Sequence, residues 1–197
     1  MFWLVLPVVL ICSAPAIPEM GMFTVSAAEE AANVAMIGQD EHRNAKQRAL
    51  ERFNRLFVES GWVKWSFQHL TSQGKQQVFE LAKHSQGGEA YLSRLWETVF
   101  KALYRIEIAM YWVAATFIVI IACFVDGVVR RKVKTYEFGY SNPVAFHLAS
   151  HGLLSVFGLF LVIPWVPFAM QQWTWPLLVI ACGAVTWKAA ESFQSGM

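Results

Sequence analysis

The sequence predicts an all-α membrane protein, with four transmembrane helices and a helical periplasmic domain between the first and the second. Three observations carry this expectation. Of the 197 residues, 56% are hydrophobic and only 15% charged, against roughly 25% charged in an ordinary soluble domain. The apolar residues are gathered into blocks toward the two ends of the chain, with one long polar segment between them. Where the polar segment is patterned, its apolar residues recur at helical spacing, and no strand alternation appears.

Each element has its own signal. Phe2 to Pro18 is free of charge and as a helix would rise about 26 Å, close to a hydrocarbon core of about 30 Å, so residues 1–24 are read as an anchor. No Lys or Arg precedes the run, as one would in a secretory signal, which favours an anchor that is retained. Ser26 with Glu29 three residues later reads as a capping box. It opens a helix toward Glu59 that carries Ala49, Phe53, Leu56 and Phe57 on one face. Gly61, the stretch 71–74 and Gly87-Gly88 punctuate the rest of the polar segment, with a short helix expected near Gln76 to Lys83. Residues 25–105 form the periplasmic domain, and their 11 Lys or Arg and 9 Asp or Glu are mixed.

After Gly88, the positions Leu92, Leu95, Trp96, Val99, Phe100, Leu103 and Tyr104 form an i, i+3, i+4 stripe. This stripe runs in phase into Ile108–Val125, 18 residues without a charge. One long helix is therefore expected to pass from the polar segment into the membrane, its second span covering residues 106–129. Residues 130–146 are a basic cytoplasmic loop. The third and fourth spans occupy 147–190. The third runs from Leu148 to Phe168, has His151 as its one ionisable group and breaks at Pro164 and Pro167. The fourth covers Trp173 to Trp187, and residues 191–197 are a short tail.

Orientation is read from the short loops, because long translocated domains escape the positive-inside rule. Arg130, Arg131, Lys132 and Lys134 come directly after the second span and belong in the cytoplasm. Residues 25–105 are then outside, and both termini inside. Trp165, Trp173 and Trp175 fall at the outer hairpin and Trp187 with Lys188 at the inner surface, where aromatic belts lie. The expected location is a membrane that the chain crosses several times.

Composition also excludes functions. A net charge of +2 with interleaved signs offers no nucleic-acid surface. Cys12, Cys123 and Cys182 all sit inside apolar runs, so neither a disulfide framework nor a zinc site is readable. No Gly-x-Ser-x-Gly elbow, P-loop or dinucleotide turn is present, and no catalytic residue or cofactor is assigned. His147 and His151 share a helix face at a spacing that could hold a metal, but a third ligand is missing, so no metal site is assigned. Haem ligation would need axial ligands on facing spans. Glu19, Glu107 and Asp126 fall at span edges, where water and headgroups are expected to solvate them.

The most specific stretch is Asp126-Gly127-Val128-Val129-Arg130-Arg131-Lys132-Val133-Lys134, continued by Tyr136 to Ser141 and then Phe146-His147-Leu148-Ala149. Gly127 lets the helix end or turn close to neighbouring backbone, and the arginines sit at anionic headgroups, each worth on the order of 1 kcal/mol. The run either sets topology alone or docks a cytoplasmic partner. An Asp-Gly-x-Val-Arg-Arg run at the inner end of a span, a short basic and aromatic loop and an aromatic-His pair opening the next span resemble a family of inner-membrane proteins of integrating conjugative elements and conjugative plasmids. Glu19-Met20-Gly21-Met22-Phe23 resembles that family as well, whereas Tyr136 to Pro143 departs from its Gly/Arg/Glu/Ser-rich loop.

The resemblance implies a non-enzymatic part of a conjugative type IV secretion apparatus, encoded near the coupling ATPase and partnering it or other transfer proteins. The candidate contacts are Asp126, Gly127, Arg130, Arg131, Lys132, Lys134 and His147, and membrane lipid is the second partner. The alternatives are an exclusion protein acting in recipient cells and a transporter using His147 and His151.

Overall fold

The computed structural model describes residues 2–13, 15, 25–72, 88–136, 143–166 and 169–193. Among these every regular element is helical: α1 Phe2–Ser13, α2 Ala27–Ile37, α3 Gln39–Phe53, a π turn Asn54–Val58, α4 Trp62–Ser72, α5 Gly88–Tyr136, α6 Pro143–Val162, a 3-10 turn Ile163–Trp165 and α7 Thr174–Ser192. The expected helix at 76–83 and the motif at 19–23 lie outside the described residues. The chain divides into two units, Met1–Ile108 with Val162–Gln172, and Ala109–Leu161 with Trp173–Met197.

In the first unit half of the expected capping box forms: the Ser26 hydroxyl accepts the Glu29 backbone N–H at 3.2 Å, satisfying a donor that the first turn leaves open, while the Glu29 carboxylate turns to Arg105 instead of back to Ser26. The single helix expected from here to Glu59 is interrupted twice. Gly38 takes φ +86° and separates α2 from α3, a left-handed conformation that favours glycine. The π turn then inserts at Asn54–Val58. The buried stripe of α3 is His42, Ala45 and Ala49, two small residues that let a neighbouring helix approach. Beyond it Phe53 contacts Trp96 and Phe100 edge-on, with centroids 6.1 and 5.9 Å away, and Phe57 lies 5.3 Å from Trp96. These are separations at which aromatic pairs add to their buried area. Trp96 also donates its indole N–H to the Ser66 hydroxyl at 3.0 Å, fastening α4 to α5. Tyr91 donates to the carbonyl of Cys12 at 2.9 Å and ties the end of α1 to α5.

The second unit packs α5, α6 and α7 through glycines. A Cβ on Gly127 would lie 2.6 Å from the Trp187 carbonyl oxygen and 2.8 Å from the Ala190 Cβ, and one on Gly183 would lie 2.6 Å from Val119 Cγ1. Small residues thus set the distance between α5 and α7, as they do where helix packing depends on close backbone approach. The opposite surface is apolar and uncovered: Phe117 is 62% and Ile118 68% exposed, and Ile121, Leu148, Leu154, Leu177 and Ile180 are exposed as well. A patch of this extent is foreign to a water-facing surface.

Two helical stretches among the described residues are long and apolar enough to cross a membrane, within Ala90–Tyr136 and Phe146–Trp165. Helices α1 and α7 occupy the first and fourth apolar runs. Helix α5 continues through Tyr136, so Arg130 to Lys134 ride on its last turns and not on the loop that the sequence predicts.

Overpacking the α5–α7 contact tests this arrangement. Gly127→Ala or Gly183→Ala is expected to cost about 1–3 kcal/mol. Gly152→Ala, whose Cβ would meet Val185 Cγ1 at 3.2 Å, is expected to cost less. Melting temperatures of the detergent-purified chain measure both.

Candidate functional site

Among the described residues two charged clusters stand out, one in each unit. The first is buried. Arg105 is 1% exposed and Glu29 0%, and they meet as a fork, Arg105 Nε to Glu29 Oε1 at 2.7 Å and Nη2 to Oε2 at 2.9 Å. Arg105 Nη1 donates to the carbonyls of Pro164 and Val166, and Glu29 Oε2 accepts the Met170 N–H at 3.2 Å. The pair therefore joins α2, α5 and the segment after α6. Half a turn on, Glu107 is buried and receives Arg48 at 3.1 Å and Arg52 at 2.8 Å from α3. The expectation that Glu107 is a solvated edge carboxylate is corrected here: two guanidinium groups, not water or headgroups, compensate its charge.

Beside this pair runs a hydrogen-bonded chain. Asn33 Nδ2 donates to the Tyr104 hydroxyl oxygen at 2.9 Å, and His42 Nε2 lies 2.8 Å from the same oxygen. With that oxygen accepting from Asn33, its proton goes to Nε2, leaving the ring proton on Nδ1. Burial pushes the Tyr104 phenol up to about 12, so it remains a donor. Burial also lowers the His42 pKa, and Lys46 lowers it further against the opposing pull of Glu30. Protonated His42 would have to donate to the hydroxyl it now accepts from, and the phenolic proton would lose its partner.

The second cluster contains the residues singled out in the sequence. Asp126 Oδ2 accepts the Trp187 indole N–H at 2.6 Å, and Gly127 lies against the backbone of α7. Glu191, which sequence reasoning missed, gathers the cations: Lys134 Nζ at 2.5 Å, Lys188 Nζ at 2.7 Å and Arg130 Nε at 3.5 Å. Its own burial raises the Glu191 pKa, but the Lys134 and Lys188 bonds outweigh this and hold the carboxyl below its ordinary range.

The Arg130 guanidinium lies 5.6 Å from the Trp187 ring centroid, and that of Arg131 lies 5.7 Å from Phe193. Lys132 and His147 are exposed. Phe146, beside His147, packs on Phe193 at 5.5 Å. The structure therefore brings together Asp126, Gly127, Arg130 and Lys134, and leaves Lys132 and His147 facing outward. His151 is exposed one turn from His147, and no group of three or more His, Cys, Asp or Glu side chains converges on a metal position among the described residues.

Compared with known protein families, residues 3–194 match the DtrJ-like family, described as IncC plasmid conjugative DNA transfer protein DtrJ-like. The chain belongs to this family. No curated protein and no solved structure matches it. Membership makes this DtrJ-like chain a conjugative DNA transfer protein, in agreement with the resemblance carried by Asp126 to Ala149. The family is described by transfer and not by an enzymatic reaction.

The main residues missed in this DtrJ-like chain are Arg105 and Glu191, while Glu29 was read only as a capping residue and Glu107 as a solvated edge carboxylate. One signal was present for Glu191: it lies three residues after Lys188 and four after Trp187, so it shares a helix face with both. Arg105 had none: it follows Tyr104 and falls on the helix face away from the apolar stripe of α5.

The buried pair should respond asymmetrically to substitution. Arg105→Met strands the Glu29 carboxylate and is expected to lose about 3–5 kcal/mol. Glu29→Met with Arg105→Met should recover part of that, as chemical denaturation in detergent will read. The His42 contribution has a definite sign. Its folded pKa lies below the ordinary 6.5, so its stabilisation is complete above that pH. It declines as the pH falls from 6.5 toward the lowered folded value, because in that window the unfolded chain takes up the proton and the folded chain does not, and it is lost once the pH has passed the folded value. His42→Gln should flatten the fall in melting temperature on acidification, and an unchanged slope would refute the assignment.

Proposed function

We propose that this chain is a non-enzymatic, four-span inner-membrane component of a conjugative DNA-transfer (type IV secretion) apparatus, acting as a scaffold that partners the coupling ATPase. On this reading α1, the apolar part of α5, α6 and α7 are the spans, residues 25–105 are periplasmic and both termini are cytoplasmic. The observation that carries the reading is the extent of the family match, residues 3–194. The transfer role then belongs to the helical architecture as a whole and not to an appended module.

The use made of the buried charges supports contact over chemistry. Glu29, Arg105, Glu107 and Glu191 are each engaged in ion pairs that hold helices together. The exposed apolar belt of α5, α6 and α7 supports a bilayer or a helical partner as their surroundings. For the ATPase, the contacts not paired with α7 are Arg131, Lys132 and His147; Asp126 and Gly127 pack on α7, and Arg130 and Lys134 pair with its Glu191 while their outer faces stay open.

An in-frame deletion in donor cells is expected to lower conjugation frequency by orders of magnitude, with recovery on complementation; an unchanged frequency sinks the reading. A photocrosslinker at position 132 should capture the coupling ATPase, and capture of no transfer protein removes the partner assignment. Expression in recipients alone should leave uptake unchanged, whereas reduced uptake would favour the exclusion alternative.

A further inference from the structure

The cluster at Glu191 holds more positive charge than its carboxylate neutralises. Arg130, Lys134 and Lys188 converge on it; Asp126, one turn before Arg130, keeps its negative charge while accepting the Trp187 N–H, so three cations face two carboxylates and one positive charge is left over. Glu191 is buried, its side chain 3% exposed, whereas that of Arg130 is 60% exposed and the two lysines are also open to the outside. Arg130 approaches the carboxylate through Nε, so both Nη groups remain as outward donors in the fork geometry that suits a phosphate.

These cations are also held in place. Arg130 and Lys188 lie over the Trp187 ring, 5.6 and 5.8 Å from its centroid, and the ring is anchored by its N–H on Asp126. Beside Arg130, the exposed side chains Val125, Val129 and Val133 are spaced four apart and form one apolar row along α5.

We propose that this cluster is an anionic phospholipid site: Arg130, Lys134 and Lys188 bind the phosphodiester headgroup, and an acyl chain lies along Val125, Val129 and Val133. The inference rests on the proposed membrane placement and adds a specific ligand to it. The apolar row beside the cations decides for lipid over an acidic peptide, which would match the charges and leave the valines uncovered. Glu191 is a positioning residue. It gathers three cations that would otherwise repel one another, and still leaves them an excess of charge for the phosphate.

The test uses the full chain purified in mild detergent, with phosphatidylglycerol or phosphatidylcholine added and bound lipid counted by native mass spectrometry. Phosphatidylglycerol should be retained preferentially. Arg130→Gln with Lys134→Gln, which leaves Lys188 on Glu191, should lower its affinity about tenfold or more. Arg131→Gln with Lys132→Gln removes the same charge from the same helix end and should leave that affinity unchanged. Equal losses from the two double variants would mean diffuse attraction and overturn the site. Displacement of the lipid by glycerol phosphate, or by an acidic peptide, would overturn the assignment to lipid.

Carbonate washing of vesicles carrying the chain separates failure of the site from failure of the membrane placement. A chain that stays in the vesicles but shows no preference for phosphatidylglycerol overturns this site alone. A chain stripped from them overturns the membrane placement and the site with it.

Discussion

The buried fork between Arg105 and Glu29 is the constraint on which the first unit depends. Taking two ions out of water costs several kcal/mol each, and their attraction offsets this only with good geometry and with the remaining lone pairs and protons satisfied. Both conditions are met here: the contacts are 2.7 and 2.9 Å, the third guanidinium nitrogen reaches two backbone carbonyls, and Glu29 accepts a backbone N–H besides. Such a pair contributes little net stability over an apolar replacement, but it tolerates few alternative arrangements. Apolar faces between α2, α5 and residues 164–166 could slide in register, whereas an arginine that must find a carboxylate and two specific carbonyls cannot. We therefore regard it as a device for registry, with Glu107, Arg48 and Arg52 repeating the principle at the partly exposed face of α3.

The second cluster solves a different problem with the same groups. At Arg105 the guanidinium is paired with the Glu29 carboxylate away from solvent, with Lys101 buried beside them and its pKa lowered to about 8 by burial and by Arg105. At Glu191 one carboxylate sits beneath three cations whose outer faces stay open, so the interior is neutralised and the surface keeps its sign. Gly127 makes this possible, because only without a Cβ can α7 approach closely enough for Trp187 to reach Asp126 and for Glu191 to reach Arg130 and Lys134. The Asp-Gly-x-Val-Arg-Arg run, which reads as a surface motif, is in large part a packing motif. Its aspartate and glycine seat α7, and its first arginine is stacked on a tryptophan of that helix.

Local patterns in the sequence carried far: the Ser26 cap, the α5 stripe from Leu92 to Tyr104 and the uncharged Ile108–Val125 run have their counterparts in the structure, and Gly127 lies close to neighbouring backbone although α5 neither ends nor turns there. The breaks within 26–59 were harder, since Gly38 sits in an otherwise helical pattern and a π turn leaves no mark in apolar spacing. The ion pairs were not legible for a stronger reason. Glu29 and Arg105 are 76 residues apart, and Arg105 reaches Val166 across 61 more, so nothing local distinguishes these charges from solvated ones. Glu107 shows the same failure: its place beside an apolar run is compatible with headgroup solvation and with a buried pair, and only the position of α3 decides between them.

With Asp126 and Gly127 packed on α7 and Arg130 and Lys134 paired with its Glu191, few other side chains at the end of α5 remain to recruit a protein partner. Arg131, Lys132 and His147 are exposed or partly exposed, and such rim charges govern encounter rate and orientation more than affinity. At an ionic strength where the Debye length is about 8 Å they are also heavily screened. A lasting complex of the proposed kind therefore needs a second contact, and the uncovered apolar faces of α5, α6 and α7 are the available surface. In a bilayer, helices associate through packing and small residues, without a hydrophobic driving force. On this view the basic end selects and orients the partner, and span-to-span packing holds it.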